Sequence, residues 1–214
     1  MGYKIIAQGF LDGACYLYSI INAYKALVFP DMDIEAFYDM EHKNESGLRK
    51  WETLIRVSSG TTEMLAGVGF FYYFTRFKNT NAFSAFEAQC NHFTRLAFAL
   101  LADDDHQFTV SGLDLTACHT ADFRNSVVIL PVIKKIPSLA GNEIDNHWIC
   151  ITGRGADTFQ IACSYSIHCL PGGQYFERLD AQANRYYNNL IRVGDINEST
   201  LDKAVNCIFM ITKN

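Results

Sequence analysis

Proline is scarce in this sequence, and basic residues never gather into a run. Four prolines and 14 glycines among 214 residues leave no segment typical of a long linker. No more than two basic residues are adjacent, at Arg49-Lys50 and Lys134-Lys135, and the formal net charge is −5. The sequence therefore lacks the basic surface typical of nucleic-acid-binding proteins, and we expect no nucleic acid among its partners.

The sequence also lacks the apolar segments that mark export or membrane insertion. Its first residues contain no charged region followed by a long apolar stretch, so no secretory signal is predicted. The longest apolar stretch, residues 16–29, is interrupted by Ser19, Asn22 and Lys25 and is too short for a membrane span. We therefore expect a cytoplasmic protein without a membrane partner.

Cysteine is present, but not in the patterns that bind zinc or build a disulfide framework. The seven cysteines are an odd number, and no two are spaced as Cys-x-x-Cys. Without an export signal they are predicted to be reduced thiols. Only Cys118-His119 and His168-Cys169 place cysteine beside histidine, and adjacent side chains rarely point at one metal. We expect neither a metal nor another cofactor.

The order of the apolar patterns predicts an α+β fold. Helical spacing dominates the first half of the chain, and β-rich runs separated by turns dominate the second half. A single domain is expected, with a helical lobe at about 1–105 and a mostly antiparallel sheet lobe at about 106–214. Helical patterns occupy residues 15–28, 33–40, 48–57, 62–74, 82–101 and 178–190, and strand patterns occupy 127–133 (broken at Pro131), 147–152, 158–163 and 207–212.

Cys15 has the surroundings of a catalytic thiol. It follows Asp12-Gly13 and begins a predicted helix, where the helix dipole and free amides favour the thiolate. His147 begins a β-rich run 132 residues later, and its imidazole can pair with the thiolate and then protonate a leaving amine. Gln8, upstream, can donate to an oxyanion together with the backbone N–H of Cys15.

These residues resemble the papain-like cysteine peptidases, in particular the compact bacterial branch of bacteriocin-processing peptidases and related effector-type hydrolases. The matching blocks run from Gln8 to Cys15, with the helix that follows, and from His147 to Gly153. The resemblance implies a papain-like fold and a hydrolase that cleaves an amide bond in a protein or peptide through an acyl-enzyme. In that enzyme Cys15 is the nucleophile, His147 the base and Gln8 the oxyanion donor.

The residue that should orient His147 departs from the family's pattern. The family's Asn or Asp is expected where this chain has Cys163 and Ser164. We predict that Ser164 orients the ring and that Cys163, which lies in an apolar run, belongs to the core. Asp157 in that role, or a Cys–His dyad without a third residue, are the alternatives.

Two other functions fit the same sequence. One is a catalytically inactive papain-like module that binds a protein partner, which the missing Asn or Asp permits. The other is a helical interaction protein in which Cys15 is a core residue, as free cysteines often are.

Replacing Gln8 tests the oxyanion role. We expect Gln8→Ala to lower the rate of Cys15 acylation by an activated ester about 10²–10³-fold, because one oxyanion donor is lost. Circular dichroism should show an unchanged fold, and Gln107→Ala is the control for a lost glutamine elsewhere. An unchanged acylation rate would remove Gln8 from the site.

Overall fold

A computed structural model describes four stretches of the chain: residues 2–7, 15–43, 83–165 and 176–214. The predicted helices at 48–57 and 62–74, and Gln8, lie outside them. Helices come first and an antiparallel sheet follows, so the chain has the mixed α+β class that the sequence predicts. No helix within these stretches is long and apolar enough to cross a membrane.

Within the described residues, three long helices precede all ten strands, and short 3₁₀ and α-helical turns precede the last strand. In chain order the elements are α1 (Cys15–Val28), α2 (Ile34–Lys43), α3 (Phe83–Leu101), β1 (Phe108–Gly112), α4 (Leu115–His119), β2 (Ser126–Val132), β3 (Ile136–Pro137), β4 (Glu143–Ile144), β5 (His147–Arg154), β6 (Thr158–Ala162), β7 (Arg178–Asp180), β8 (Arg185–Tyr187), β9 (Asn189–Arg192), a 3₁₀ turn (Val193–Asp195), α5 (Glu198–Leu201), a second 3₁₀ turn (Asp202–Ala204) and β10 (Phe209–Lys213).

Six of the strands form one sheet, in the order β1-β10-β2-β5-β6-β9, and every neighbouring pair is antiparallel. The central strands β2 and β5 are buried along almost their whole length. A strand covered on both faces carries apolar residues throughout rather than alternately, which explains the continuous apolar runs in the sequence. β3 pairs with β4, and β7 pairs with β8, as separate two-stranded ribbons.

The two faces of the sheet belong to two hydrophobic clusters. One cluster joins α1 and α3 to alternate sheet residues that include Ile129, Trp148 and Cys150. The other cluster, on the opposite face, includes Leu130, Ile149 and residues of the short helices α4 and α5. The alternation of side chains along a strand thus separates the face that carries α1 from the face that does not.

Two sequence predictions differ from the structure. Residues 178–190 form β7, β8 and the start of β9 rather than a helix, because Asn184 turns the chain at φ 50° and a β-prone Tyr-Tyr pair follows. Pro131 does not interrupt β2. The pairing of β10 with β2 ends at Ile129, so the missing amide of Pro131 costs no hydrogen bond to β10.

A buried arginine ties α1 to the sheet and to the loop before β2. Arg185 is 4% exposed, and its guanidinium donates to five backbone carbonyls of the described residues. The planar fork of five N–H groups suits this arrangement, because each donor can meet a different carbonyl. The acceptors are Ala26 at 3.3 Å, Arg124 at 3.0 Å, Ser126 at 2.9 Å, Thr152 at 3.4 Å, and Phe123.

Removing this guanidinium should destabilise the fold. We expect Arg185→Met to lower the free energy of unfolding by about 3 kcal/mol or more, because several buried carbonyls lose their donor. Arg192→Ala removes an exposed arginine from β9 and should change the stability by no more than about 0.5 kcal/mol. Urea unfolding of the two variants measures the difference, and equal stabilities would contradict the proposed role.

Candidate active site

Cys15 is the first residue of α1 and is 6% exposed. Its carbonyl accepts a hydrogen bond from the Ser19 hydroxyl at 2.9 Å, which reinforces the first helical turn. The first amides of a helix lack partners within the helix, and its dipole is positive at this end. The thiol therefore lies where a negative sulfur is stabilised.

His147 is the first residue of β5 and is 5% exposed. Asn146, at φ 44°, turns the chain into the strand, and β2 pairs with β5 so that Val132 lies opposite His147. The imidazole hydrogen-bonds with two thiols, those of Cys15 and Cys163. The sheet thus holds the ring beside the start of α1, although helix and strand are far apart in the sequence.

The residues that follow Cys15 and His147 pack against each other. The ring centroids of Tyr16 and Trp148 are 4.2 Å apart, and both side chains are buried. The Tyr16 hydroxyl donates to the Cys90 carbonyl at 3.1 Å and also bonds the Thr94 hydroxyl, both on α3. Burial raises the pKa of Tyr16 further, so the phenol stays neutral. This contact fixes the start of α1 against the start of β5.

The two thiols change the acidity of His147. Burial acts to lower the pKa of His147, because it disfavours the charged ring. Electrostatic interaction with Cys163 and hydrogen bonds with Cys15 and Cys163 outweigh burial and raise the pKa of His147 to about 10. The imidazole is therefore held as the cation at neutral pH, as a thiolate–imidazolium pair requires.

The chain that leads toward Gln8 is fixed to α1. The Asn22 side chain accepts from the Ile6 amide at 2.8 Å and donates to the Ile6 carbonyl at 2.9 Å. The carboxylate of Glu177 accepts from the amides of Lys4 and Ile5 at 2.7 and 3.0 Å. These bonds hold residues 4–6 beside the helix that begins at Cys15, while Gln8 itself lies outside the described residues.

The candidates for the third position have different surroundings. The Ser164 hydroxyl lies 3.5 Å from Nε2 of His147, at the limit of a hydrogen bond. Asp157 lies in the turn after β5, roughly 23 Å along the strand from His147 at about 3.3 Å per residue. Cys163, predicted as core, is 1% exposed and also bonds the imidazole. Its signal in the sequence is its place in the window where the family has Asn or Asp.

Of the two adjacent cysteine–histidine pairs, Cys118-His119 lies within the described residues, and its surroundings differ from those of Cys15 and His147. His119 bonds the Ile196 carbonyl at 2.7 Å, and burial raises the pKa of Cys118 to about 12, which makes that thiol a poor nucleophile. His168-Cys169 lies outside the described residues. Within the described stretches, no three or more His, Cys, Asp or Glu side chains are grouped to hold a metal ion.

Comparisons of the chain with known proteins found no match. No family model, curated protein or solved structure matches the chain. The resemblance to papain-like peptidases therefore rests on residues and their order: a thiol at a helix start, and an imidazole that begins a strand farther along the chain.

The charge on His147 can be measured directly. We expect its imidazole to lose its proton near pH 10 in an NMR titration, and Cys15→Ala to lower that pKa because one sulfur partner is lost. Cys118→Ala, which removes a buried thiol from α4, should leave the titration unchanged.

The same charge has a consequence for stability. The pKa of His147 is higher in the folded protein than the value of about 6.5 expected in the unfolded chain. The charged ring therefore stabilises the fold fully below about pH 6.5, and this contribution is lost as the pH rises through 10. Titration of His147 below pH 7 would contradict the charged pair.

Proposed function

We propose that this chain is a cysteine hydrolase of papain-like build that cleaves an amide bond in a protein or peptide. The observation that carries the proposal is the hydrogen bond between the thiol of Cys15, at the start of α1, and the imidazole of His147, at the start of β5. A nucleophile within reach of its base, each fixed by a regular element, is the arrangement that acyl transfer needs.

The first step forms an acyl-enzyme. The sulfur of Cys15 attacks the carbonyl carbon, a C–S bond forms, and the carbonyl electrons move to the oxygen. We assign the stabilisation of this oxyanion to the side chain of Gln8 and the backbone N–H of Cys15. When the intermediate collapses the C–N bond breaks, and the imidazolium of His147 gives its proton to the leaving amine.

The second step releases the acyl group. The now neutral imidazole of His147 takes a proton from water while the water oxygen attacks the thioester carbon. The C–S bond breaks, the carboxylic acid leaves, and the sulfur of Cys15 returns as thiolate beside the imidazolium. Peptide, isopeptide and glutamine side-chain amides all fit this chemistry, because each supplies a carbonyl and a nitrogen leaving group.

The arrangement of the fold supports the papain-like assignment. The nucleophile begins a long helix that packs on an antiparallel sheet, and the base begins a strand of that sheet. The chain order is nucleophile first and base second, as in that superfamily. Ser164 stands in the sequence window of the family's Asn or Asp, and its hydroxyl lies near the imidazole. A hydroxyl orients an imidazolium less strongly than a carboxylate does.

One observation favours the alternative of an inactive module that binds a protein partner. The groups that raise the pKa of His147 are the thiols of Cys15 and Cys163, and neither is the carboxylate or amide of an active papain-like enzyme. An intact fold with a weakened site is what a binding module of this build would have. Such a binding module would differ from the enzyme in having no reactive thiol at Cys15.

Alkylation of the cysteines tests the proposal without a known substrate. We expect iodoacetamide to label Cys15 far faster than the other cysteines near neutral pH, because its sulfur lies at the start of a helix beside an imidazolium. Burial raises the pKa of both Cys118 and Cys150 to about 12, so these thiols should react slowly. Mass spectrometry of peptides from the labelled protein gives the rate at each position.

Variants of the pair provide the controls. His147→Ala should slow the labelling of Cys15 about 10²-fold or more, because the partner that favours the thiolate is lost. His106→Ala removes a histidine that bonds Asp103 at 2.9 Å and should leave the rate as in the wild type. Equal labelling of all cysteines in the wild type would favour the binding module over the hydrolase.

A further inference from the structure

We propose that Cys163, rather than Ser164, is the residue that positions the imidazole of His147. This inference rests on the proposed hydrolase function and names the group that completes its site. Cys163 bonds the ring, whereas the Ser164 hydroxyl lies 3.5 Å from Nε2, at the limit of a hydrogen bond. The proposed positioning role requires no metal ion and no second substrate.

The two cysteines that bond the ring belong to different hydrophobic clusters. Cys15 belongs to the hydrophobic cluster that contains α1, and Cys163 belongs to the cluster on the other face. An imidazolium has two N–H donors, so two sulfur acceptors match it in number. The ring held between them has less freedom to rotate away from Cys15.

The thiol of Cys163 has its own hydrogen-bond acceptor. Its S–H points to the Tyr165 carbonyl, with a sulfur–oxygen distance of 3.7 Å. A thiol whose proton is directed elsewhere presents its sulfur lone pairs to the imidazole N–H. The His147 and Tyr165 rings also lie close, with their centroids 6.0 Å apart, so the same short segment covers the imidazole.

The backbone at Cys163 is fixed although β6 ends at Ala162. The Asn188 side chain accepts from the Cys163 amide at 2.8 Å and donates to the Cys163 carbonyl at 2.9 Å. The Asn188 amide itself donates to the Ile161 carbonyl at 3.0 Å. Asn188 is 1% exposed, so these bonds are shielded from water. The Asn188 side chain thus makes the hydrogen bonds that a neighbouring strand would otherwise make. It also fixes the position from which the Cys163 thiol meets His147.

The interaction with Cys163 is the strongest of the influences that favour the protonated imidazole. Cys15 adds to it from α1, while burial of the ring opposes both. Ser164 is not among the groups that raise the pKa of His147. Electrostatics and geometry therefore point to the same side chain.

Three variants separate a positioning role from a structural one. Cys163→Ala removes the sulfur, Cys163→Ser keeps an acceptor of similar size, and Ser164→Ala removes the hydroxyl. Cys118→Ala is the matched control, because Cys118 is also fully buried in the cluster that contains Cys163. Thermal melting of each variant shows whether the fold is retained.

The first readout is the rate of iodoacetamide labelling at Cys15. We expect Cys163→Ala to lower this rate about tenfold near neutral pH, as the loss of one hydrogen bond predicts, and Cys163→Ser to recover most of it. Ser164→Ala should cost less than Cys163→Ala, and Cys118→Ala should not change the rate. A larger loss in Ser164→Ala than in Cys163→Ala would overturn the assignment.

The second readout is the NMR titration of His147, which does not depend on catalysis. Cys163→Ala should move the titration to lower pH, and Cys118→Ala should not. If Cys15 of the wild type reacts fast but Cys163→Ala changes neither rate nor titration, the inference fails and the hydrolase stands as a dyad. If Cys15 of the wild type reacts slowly, the hydrolase fails, and an unchanged titration in Cys163→Ala would then overturn the positioning role separately.

Discussion

The packing of α1 against β5 is the contact on which the candidate site depends. Tyr16 and Trp148 meet in the core directly behind the thiol and the imidazole, and the Tyr16 hydroxyl is anchored to α3. Protein interiors are packed as densely as organic crystals, so one of these rings cannot move without displacing the other. The separation of sulfur and imidazole is thus set by side chains that take no part in the chemistry. Arg185 completes the arrangement at the other end of α1, where it holds the Ala26 carbonyl.

The sequence predicts those parts of the fold that repeat a simple period. Cys15–Val28 and Phe83–Leu101 are helices close to the predicted bounds, because each carries an apolar stripe at helical spacing. Residues 147–154 and 158–162 form the predicted hairpin, because β-branched and aromatic residues flank a turn. Residues 178–190 do not follow this rule, because they form the β7–β8 ribbon and the start of β9, and Arg185 makes buried contacts with distant carbonyls. Neither feature has a local period.

The candidate site likewise contains residues that the local sequence indicates and one residue that it does not. The chemistry of Cys15 and His147 is visible in the sequence because helix start and strand start mark them locally. The role proposed for Cys163 is not visible in that way, because it depends on a sulfur just after β6 that bonds a ring on β5 and on hydrogen bonds from Asn188, 25 residues away. Burial alone does not distinguish these thiols: Cys118 and Cys163 are both almost fully enclosed, but Cys163 bonds the imidazole of His147, whereas His119 beside Cys118 bonds the Ile196 carbonyl.

The place of β10 in the sheet bears on how the chain folds during synthesis. β10 lies between β1 and β2, so the strand that joins them leaves the ribosome after both. At about 5–20 residues per second, roughly 5 to 20 seconds separate the synthesis of β1 from that of its partner. During that interval β1 lacks its partner strand, and one edge of the mostly apolar β2 is open. The nascent chain therefore passes through a stage at which a chaperone, or an unwanted strand from another chain, can take the position that β10 later fills.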